Sequence, residues 1–308
     1  MQANRVVGIL LVLGSAALFA LAGVFTKLVS ADVWAIAGWR GLVGSIVTAG
    51  YFFWRRRRAG IPISLRLGPK TWLFGALSIA TQLLYIGALK YTYVSNVAVI
   101  YAIAPFVAAL LALLMLGERF RLTTMITALI SLGGVIVIVG NGLNTGNVLG
   151  DAMALAMTFT FALYMIAVRA FSDQPVLWAV AVASFLLFLA SFFTTEPLMV
   201  SWADMGYLVL FGLTFSSAVI LFTEGASRLP VAETALIGTL DVPFAVGFAW
   251  LFLAEIPPAS TIIGGLIVIG ALLFQALVDV AGARWQAWRT LRGRSQPTPP
   301  VISGGGDR

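Results

Sequence analysis

Asp241 is the residue whose type and place are hardest to explain by packing alone. It lies near the centre of an apolar stretch, residues 231 to 253, where an ionised carboxylate costs about 2.5 to 3.5 kcal/mol on insertion scales. A carboxylate there can bind an ammonium group or a proton. Its structural alternatives are a protonated acid or a partner for Arg40, the one basic residue well inside an apolar stretch. Thr234 and Gly238 share its helical face. Two residues on, Pro243 has no N–H and frees the carbonyl of Thr239, as Pro105 frees that of Tyr101. Both prolines and Gly238 are candidates for gating bends, or for kinks that serve packing only.

Helical spacing gathers further polar and aromatic side chains. Ser78, Gln82 and Tyr85 share one face, Met157, Thr160 and Tyr164 another, and Ser15, Phe19 and Thr26 lie along the first apolar run. Ser217, beside Ser216, completes the candidate substrate contacts. Hydroxyls in membrane helices also serve as interhelical glue, so the clustering carries more weight than any single member. Arg40 reads as structural, and Glu224, Arg228 and Glu233 as an interfacial charge cluster.

Much chemistry is excluded. The chain holds no cysteine and no histidine, which removes thiol nucleophiles, disulfides and the usual zinc ligands. No Gly-x-Ser-x-Gly elbow or Gly-x-x-x-x-Gly-Lys-Ser/Thr loop occurs, so neither an intramembrane hydrolase nor an ATP-driven pump is expected, and no cofactor or metal. Charged rings and a filter-like loop, which a channel would show, are missing as well. The net charge of +7 falls in loops between apolar spans, so it reads as a determinant of topology and not as a nucleic-acid surface.

The elements that position these residues follow from hydropathy. Sixty per cent of the 308 residues are hydrophobic and 10% charged, with a mean hydropathy of +1.00. Continuous apolar runs of about twenty residues predict membrane helices and not barrel strands, which would alternate. Ten spans are expected: 6 to 29, 33 to 54, 72 to 90, 94 to 116, 122 to 140, 148 to 168, 176 to 194, 205 to 227, 231 to 253 and 259 to 279. The first is too long for a signal-peptide core and is expected to remain as a helix. Alternating the loops puts Arg5, Arg55 to Arg58, Arg66, Lys70, Arg119, Arg121, Arg169 and Arg228 on one side, with Lys27 and Lys90 opposite. The positive-inside rule then makes both termini cytoplasmic. Trp34, Trp54, Trp72, Trp178, Trp202 and Trp250 fall near span ends, where amphipathic rings prefer the interface. Residues 280 to 308 read as a cytoplasmic basic tail, interfacial around Arg284 to Arg289 and partly disordered from Pro297.

The second half repeats the first. Gly8, Phe19-Ala20-Leu21, Lys27 and Ser30 meet Gly150, Phe161-Ala162-Leu163, Arg169 and Ser172 at one constant offset. Gly87-Ala88, Lys90 and Pro105-Phe106 meet Gly225-Ala226, Arg228 and Pro243-Phe244, and Glu118 and Gly133 meet Glu255 and Gly270. An odd number of spans per half requires the second copy, 148 to 279, to be inverted relative to the first, 1 to 140. The expected fold is therefore an all-α integral membrane protein of ten transmembrane helices in two inverted five-helix repeats. Asp241 opposes Ile103 in this register, so duplication did not impose its charge.

The segments Pro105 to Leu116-Gly117-Glu118 and Pro243 to Leu253-Ala254-Glu255, the second with Ala254 in place of glycine, resemble a motif of the drug/metabolite transporter superfamily. The resemblance is to its EamA-type exporters and covers residues 6 to 279. Within that group the chain looks most like bacterial exporters of aromatic amino acids and paraquat. The resemblance implies a multi-pass protein of a bacterial inner membrane that works in the export direction. Rings and hydroxyls around a single carboxylate suit flat, amphipathic solutes such as aromatic amino acids or planar cations. Threonine-like amino acids or nucleotide sugars are the alternative cargo, though phosphates would demand more basic residues at depth than Arg40. The small face Ala37, Gly41 and Ser45 is expected to pack within a monomer, and proton coupling through Asp241 is a further expectation.

Overall fold

The computed structural model describes residues 2–60, 68–116, 122–145, 147–170, 176–194, 200–229, 234, 237–238 and 240–294. Among these there are no strands. The helices are α1 (Gln2–Leu28), α2 (Val33–Ala59), α3 (Pro69–Tyr91), α4 (Val94–Tyr101), α5 (Ala104–Leu116), α6 (Leu122–Thr145), α7 (Val148–Ala170), α8 (Val176–Thr194), α9 (Trp202–Ala226), α10 (Asp241–Leu253) and α11 (Ala259–Arg294). Six segments are each long and apolar enough to cross a membrane: Asn4–Leu28, Pro69–Tyr91, Val94–Met115, Val148–Ala167, Leu177–Thr194 and Trp202–Ala226. Shorter apolar stretches occupy Met125–Gly140, Asp241–Leu253 and Ala259–Gln275. α2 is in neither group, because Arg40 interrupts it and four arginines end it.

Local signals explain the boundaries. Asp32 caps α2 by accepting the N–H groups of Trp34 at 2.7 Å and Ala35 at 3.1 Å. Ser201 caps α9 through the Asp204 N–H at 3.0 Å. Pro69 opens α3, at a position that needs no N–H. Gly60 ends α2 in the left-handed region, at φ 64°. Ala254 ends α10 in the same region at φ 51°, the only non-glycine residue with positive φ among those described.

The expected bend at Pro105 is a break. Ile103 turns its N–H to Ile100 O, three residues back at 3.3 Å, and Phe106 and Val107 then both donate to Ile103 O at 2.9 and 3.1 Å. Helix geometry restarts at Ala104, so Pro105 sits in the first turn of α5 where its missing donor costs nothing. At the matching place in the second copy, Leu240 donates to Ile237 O at 3.1 Å and α10 starts at Asp241. At the C-terminal end, α11 continues unbroken to Arg294, beyond the span end expected at 279.

Packing is pairwise: α1 on α9, α3 on α7, α2 on α8 and α6 on α11, with α4 against α10. The α2–α8 seam uses the small face of α2. A Cβ on Gly41 would come within 2.6 Å of the Ser184 carbonyl oxygen, so the seam closes only around glycine. One core cluster joins α4 to α7, α10 and α11 through Val97, Ile100, Met157 and Val242, and another joins α1, α2, α8 and α9 through Phe25, Ile36, Leu187 and Phe211. Tyr85 packs against both. Large apolar side chains such as Leu114, Leu266, Trp250 and Trp202 face outward, the inverse of an aqueous exterior.

Candidate functional site

Where the two clusters meet, α2, α3 and α9 bring a buried cation against aromatic rings. Arg40 on α2 is 1% exposed. Its Nη2 donates to Gln82 Oε1 at 2.8 Å, and Gln82 Nε2 in turn donates to Ser78 Oγ at 3.0 Å and Ser184 Oγ at 3.4 Å. The guanidinium lies 4.3 Å from the Phe215 ring centre and 5.2 Å from that of Phe211. Such contacts contribute about 0.5 to 2 kcal/mol each, the higher value when desolvated. Phe19 meets Phe215 edge-on at 5.6 Å.

Tyr85, one turn beyond Gln82 on α3, links this group to the second-copy break. It lies within electrostatic reach of both Arg40 and Asp241. Asp241 opens α10, where the helix dipole favours a negative charge. It keeps partial solvent access, as do Tyr85, Tyr101 and Phe215. Tyr101, the last residue of α4, is also within reach of Asp241 and packs on Phe161 at 5.2 Å. Phe161 stacks on Tyr164 at 6.4 Å, and Tyr164 meets Phe74 at 6.3 Å. Thr160 receives the Thr81 hydroxyl at 3.1 Å, joining α7 to α3.

The structure thus brings together Phe19, Ser78, Gln82, Tyr85, Tyr101, Thr160, Tyr164 and Asp241. Ser15 is buried and spends its hydroxyl on Val12 O at 2.8 Å. Ser217 is exposed, while its buried neighbour Ser216 donates to Gly212 O at 2.6 Å. Pro105 and Pro243 are exposed in the first turns of α5 and α10, and Gly238 is half-buried near Phe222. Thr239 and Glu233 lie outside the described residues. Sequence reasoning set Arg40 aside as structural and missed Phe215. The signal for both was present, since a lone arginine in an apolar span needs partners.

One end of the bundle is tied shut by polar contacts. Lys27 Nζ on α1 donates to Thr92 O, past the end of α3, at 2.8 Å, and Lys90 Nζ on α3 donates to Val29 O, past the end of α1, at 2.7 Å. Asp151 Oδ1, fully buried, accepts from Thr92 Oγ1 at 2.7 Å and Asn96 Nδ2 at 3.1 Å, and Thr261 donates to Asn96 Oδ1. Asp204 accepts from the Ser30 hydroxyl at 2.5 Å. Glu255 accepts the Ser95 N–H at the start of α4 at 3.5 Å. Burial pushes the Glu255 carboxyl above the usual carboxylate range, against the pull of Lys27 and the N–H groups of Ser95 and Val94. At the other end Glu224 accepts from the Tyr51 hydroxyl and from Arg228 at 2.8 Å, with Arg55 at 3.7 Å.

An all-helical chain with repeated apolar spans, broken helices and a buried polar centre belongs to the class of multi-pass membrane transport proteins. The model of the EamA-like transporter family matches residues 6–140 and again 148–276, and the chain belongs to that family. A relative is the pseudopaline exporter CntI of Pseudomonas aeruginosa strain UCBPP-PA14, 22% identical over 275 residues, covering 86% of this chain and 94% of the exporter. Protein RarD of Salmonella typhi is 28% identical over 189 residues, 59% of this chain and 63% of its own length. A solved crystal structure shares the fold at a TM-score of 0.62 and 19% identity, covering 88% of this chain and 95% of that one. Neither relative's name states the aromatic amino acid or paraquat cargo that the sequence resemblance implied, so cargo is a separate question from family.

Proposed function

We propose that this chain is a secondary exporter of small amphipathic solutes, aromatic amino acids and related planar cations first among them, across a bacterial inner membrane. The observation that carries the substrate class is the set of paired rings, Phe19 with Phe215 and Phe161 with Tyr101, the last within electrostatic reach of the Asp241 carboxylate. Rings supply contact for a flat solute, and the carboxylate orients its positive end. The named relative CntI is an exporter, which supports the direction.

Alternating access is read from symmetry. In the duplication register the pairing of α1 with α9 maps onto that of α7 with α3, while α2–α8 and α6–α11 map onto themselves. Two matches to one family model fall on the two halves. Ten spans in two inverted halves account for both facts, and exchanging the halves' conformations moves the opening from one face to the other. Breaks at Ile103 and Asp241, mates in that register, are the hinges beside the centre.

The test is counterflow of labelled tryptophan in liposomes holding the purified protein, competed by phenylalanine, threonine and paraquat. Uptake blocked by phenylalanine and paraquat is expected, and aromatics that give no competition overturn the cargo. Orientation has its own measurement, since the chain lacks cysteine. With an impermeant maleimide, Arg57→Cys should react in inverted vesicles and Ala31→Cys in right-side-out ones, and the reverse pattern refutes cytoplasmic termini. Asp241→Asn should remove any pH dependence of flux if that group carries a proton.

A further inference from the structure

Arg40 is held at one corner only. Nη2 reaches Gln82, whereas Nε and Nη1 are buried with no hydrogen-bond partner. A buried donor left unmade costs about 1 to 3 kcal/mol, and more on a charged group. An arginine serving only to hold helices together would spend those donors on carbonyls or a carboxylate of its own chain. Among the described residues no carboxylate lies within ion-pair distance of it. Gln82 is a neutral partner, and the ring faces of Phe215 and Phe211 satisfy the charge but not the donors.

The surroundings say what is missing. A guanidinium with free donors fits a carboxylate better than any other organic group. Asp241, like Arg40, is within electrostatic reach of Tyr85, and no basic side chain pairs with it among the described residues. The Phe215 ring faces the Arg40 guanidinium and meets Phe19 edge-on, and Tyr101 lies within electrostatic reach of Asp241.

We infer that Arg40 receives the carboxylate of a zwitterionic solute whose ammonium group goes to Asp241, with the solute's side chain against the neighbouring aromatic rings. This rests on the transport reading above and narrows it, from amphipathic solutes that include planar cations to solutes with both an acid and an amine. A simple amine leaves Arg40 unpaired, and a simple acid leaves Asp241 unpaired. One missing charge-assisted bond of about 1.5 to 3 kcal/mol corresponds to at least roughly tenfold in affinity.

Counterflow of labelled L-tryptophan should therefore be inhibited by unlabelled tryptophan at least about tenfold more strongly than by tryptamine, which lacks the carboxylate, or by indole-3-propionate, which lacks the amine. Arg40→Gln should erase the preference over tryptamine and leave the preference over indole-3-propionate, Asp241→Asn should do the converse, and Arg40→Lys should keep part of the first. Tryptamine equal to tryptophan in the unaltered protein, or a preference that survives Arg40→Gln, overturns the inference. Should Arg40→Gln fail to fold, the competitor series on the unaltered protein and Arg40→Lys decides it. Flux of paraquat or threonine without carboxylate discrimination leaves the transport reading standing and removes this one. If nothing is transported, the transport reading falls, and thermal protection of the detergent-solubilised protein by tryptophan over tryptamine decides the inference alone.

Discussion

The two ends of the bundle, about 40 Å apart along α2, are built from matching positions of the repeat yet are held by different physics. At the Lys27 end, α7 presses Gly150 onto backbone: a Cβ there would stand 2.6 Å from Thr92 N and Tyr91 C. At the Arg55 end, the mate Gly8 faces the Leu229 side chain, 2.8 Å from its Cγ. Lys27 and Lys90 reach across to the other's helix end, whereas Arg228, the mate of Lys90, turns back onto Glu224 in the last turn of the preceding α9. The buried Asp151 of the second copy has Ile9 as its counterpart in the register, so the first copy lacks that carboxylate. One end is thus locked by buried polar bonds and the other held by exposed charges.

Glycine tests the contrast most severely. Gly150→Ala forces a methyl into backbone, which cannot turn aside, and should cost about 1 to 3 kcal/mol, the usual range for overpacking. Gly8→Ala meets a rotatable leucine and should cost less than half as much. Apparent melting temperatures in detergent measure both, and equal losses would break the comparison.

Asp151→Ala comes next. It strips the acceptor from the Thr92 hydroxyl and the Asn96 amide, both buried, at about 1 to 3 kcal/mol for each group left unpaired. The loss falls on the locked end, so that end should open. A single Ser95→Cys reporter, at a fully buried site, should label several-fold faster with Asp151→Ala and little faster with Asp151→Asn, which keeps an acceptor oxygen. Unchanged labelling with Asp151→Ala would show that the network is not what keeps this end closed.

Much of this was legible in the sequence, and unevenly so. Apolar runs and the repeat gave the helices, because lipid demands both continuous hydropathy and internal backbone bonding. Spacing placed Ser78, Gln82 and Tyr85 on one face because helical periodicity survives folding. Periodicity along one helix cannot say which helix lies opposite, which is why Ser217 entered the candidates although it is exposed, and Phe215 did not enter. Arg40 was read by rarity, and its role turned on donors that only coordinates count. The break at Ile103 was expected as a bend, because Pro105 announces a lost bond but not how the chain restarts.

The Leu-Gly-Glu motif sharpens the comparison in another way. Its second copy stands at the locked end with Ala254 in the left-handed region, where a Cβ costs about 1 to 2 kcal/mol. Glycine relieves that strain but loosens the unfolded chain by about 0.4 to 1 kcal/mol. Ala254→Gly should therefore stabilise by about half to one kcal/mol, read as a small rise in melting temperature. A fall would mean that the methyl packs productively.

Glu224 at the other end should show the smallest effect. Its side chain is 27% exposed, and exposed pairs contribute about 0.2 to 1 kcal/mol, less as salt rises. Glu224→Gln keeps an acceptor for the Tyr51 hydroxyl while removing the charge that faces Arg55 and Arg228. Its penalty should shrink between 10 mM and 1 M salt, as the screening length falls from about 30 to 3 Å. The Asp151→Ala penalty, which comes from buried dipoles left unpaired, should hardly move over the same range. Salt dependence is therefore the measurement that separates the two ends even where their total energies overlap, and a buried-end penalty that screened as readily as the exposed one would mean both are wet.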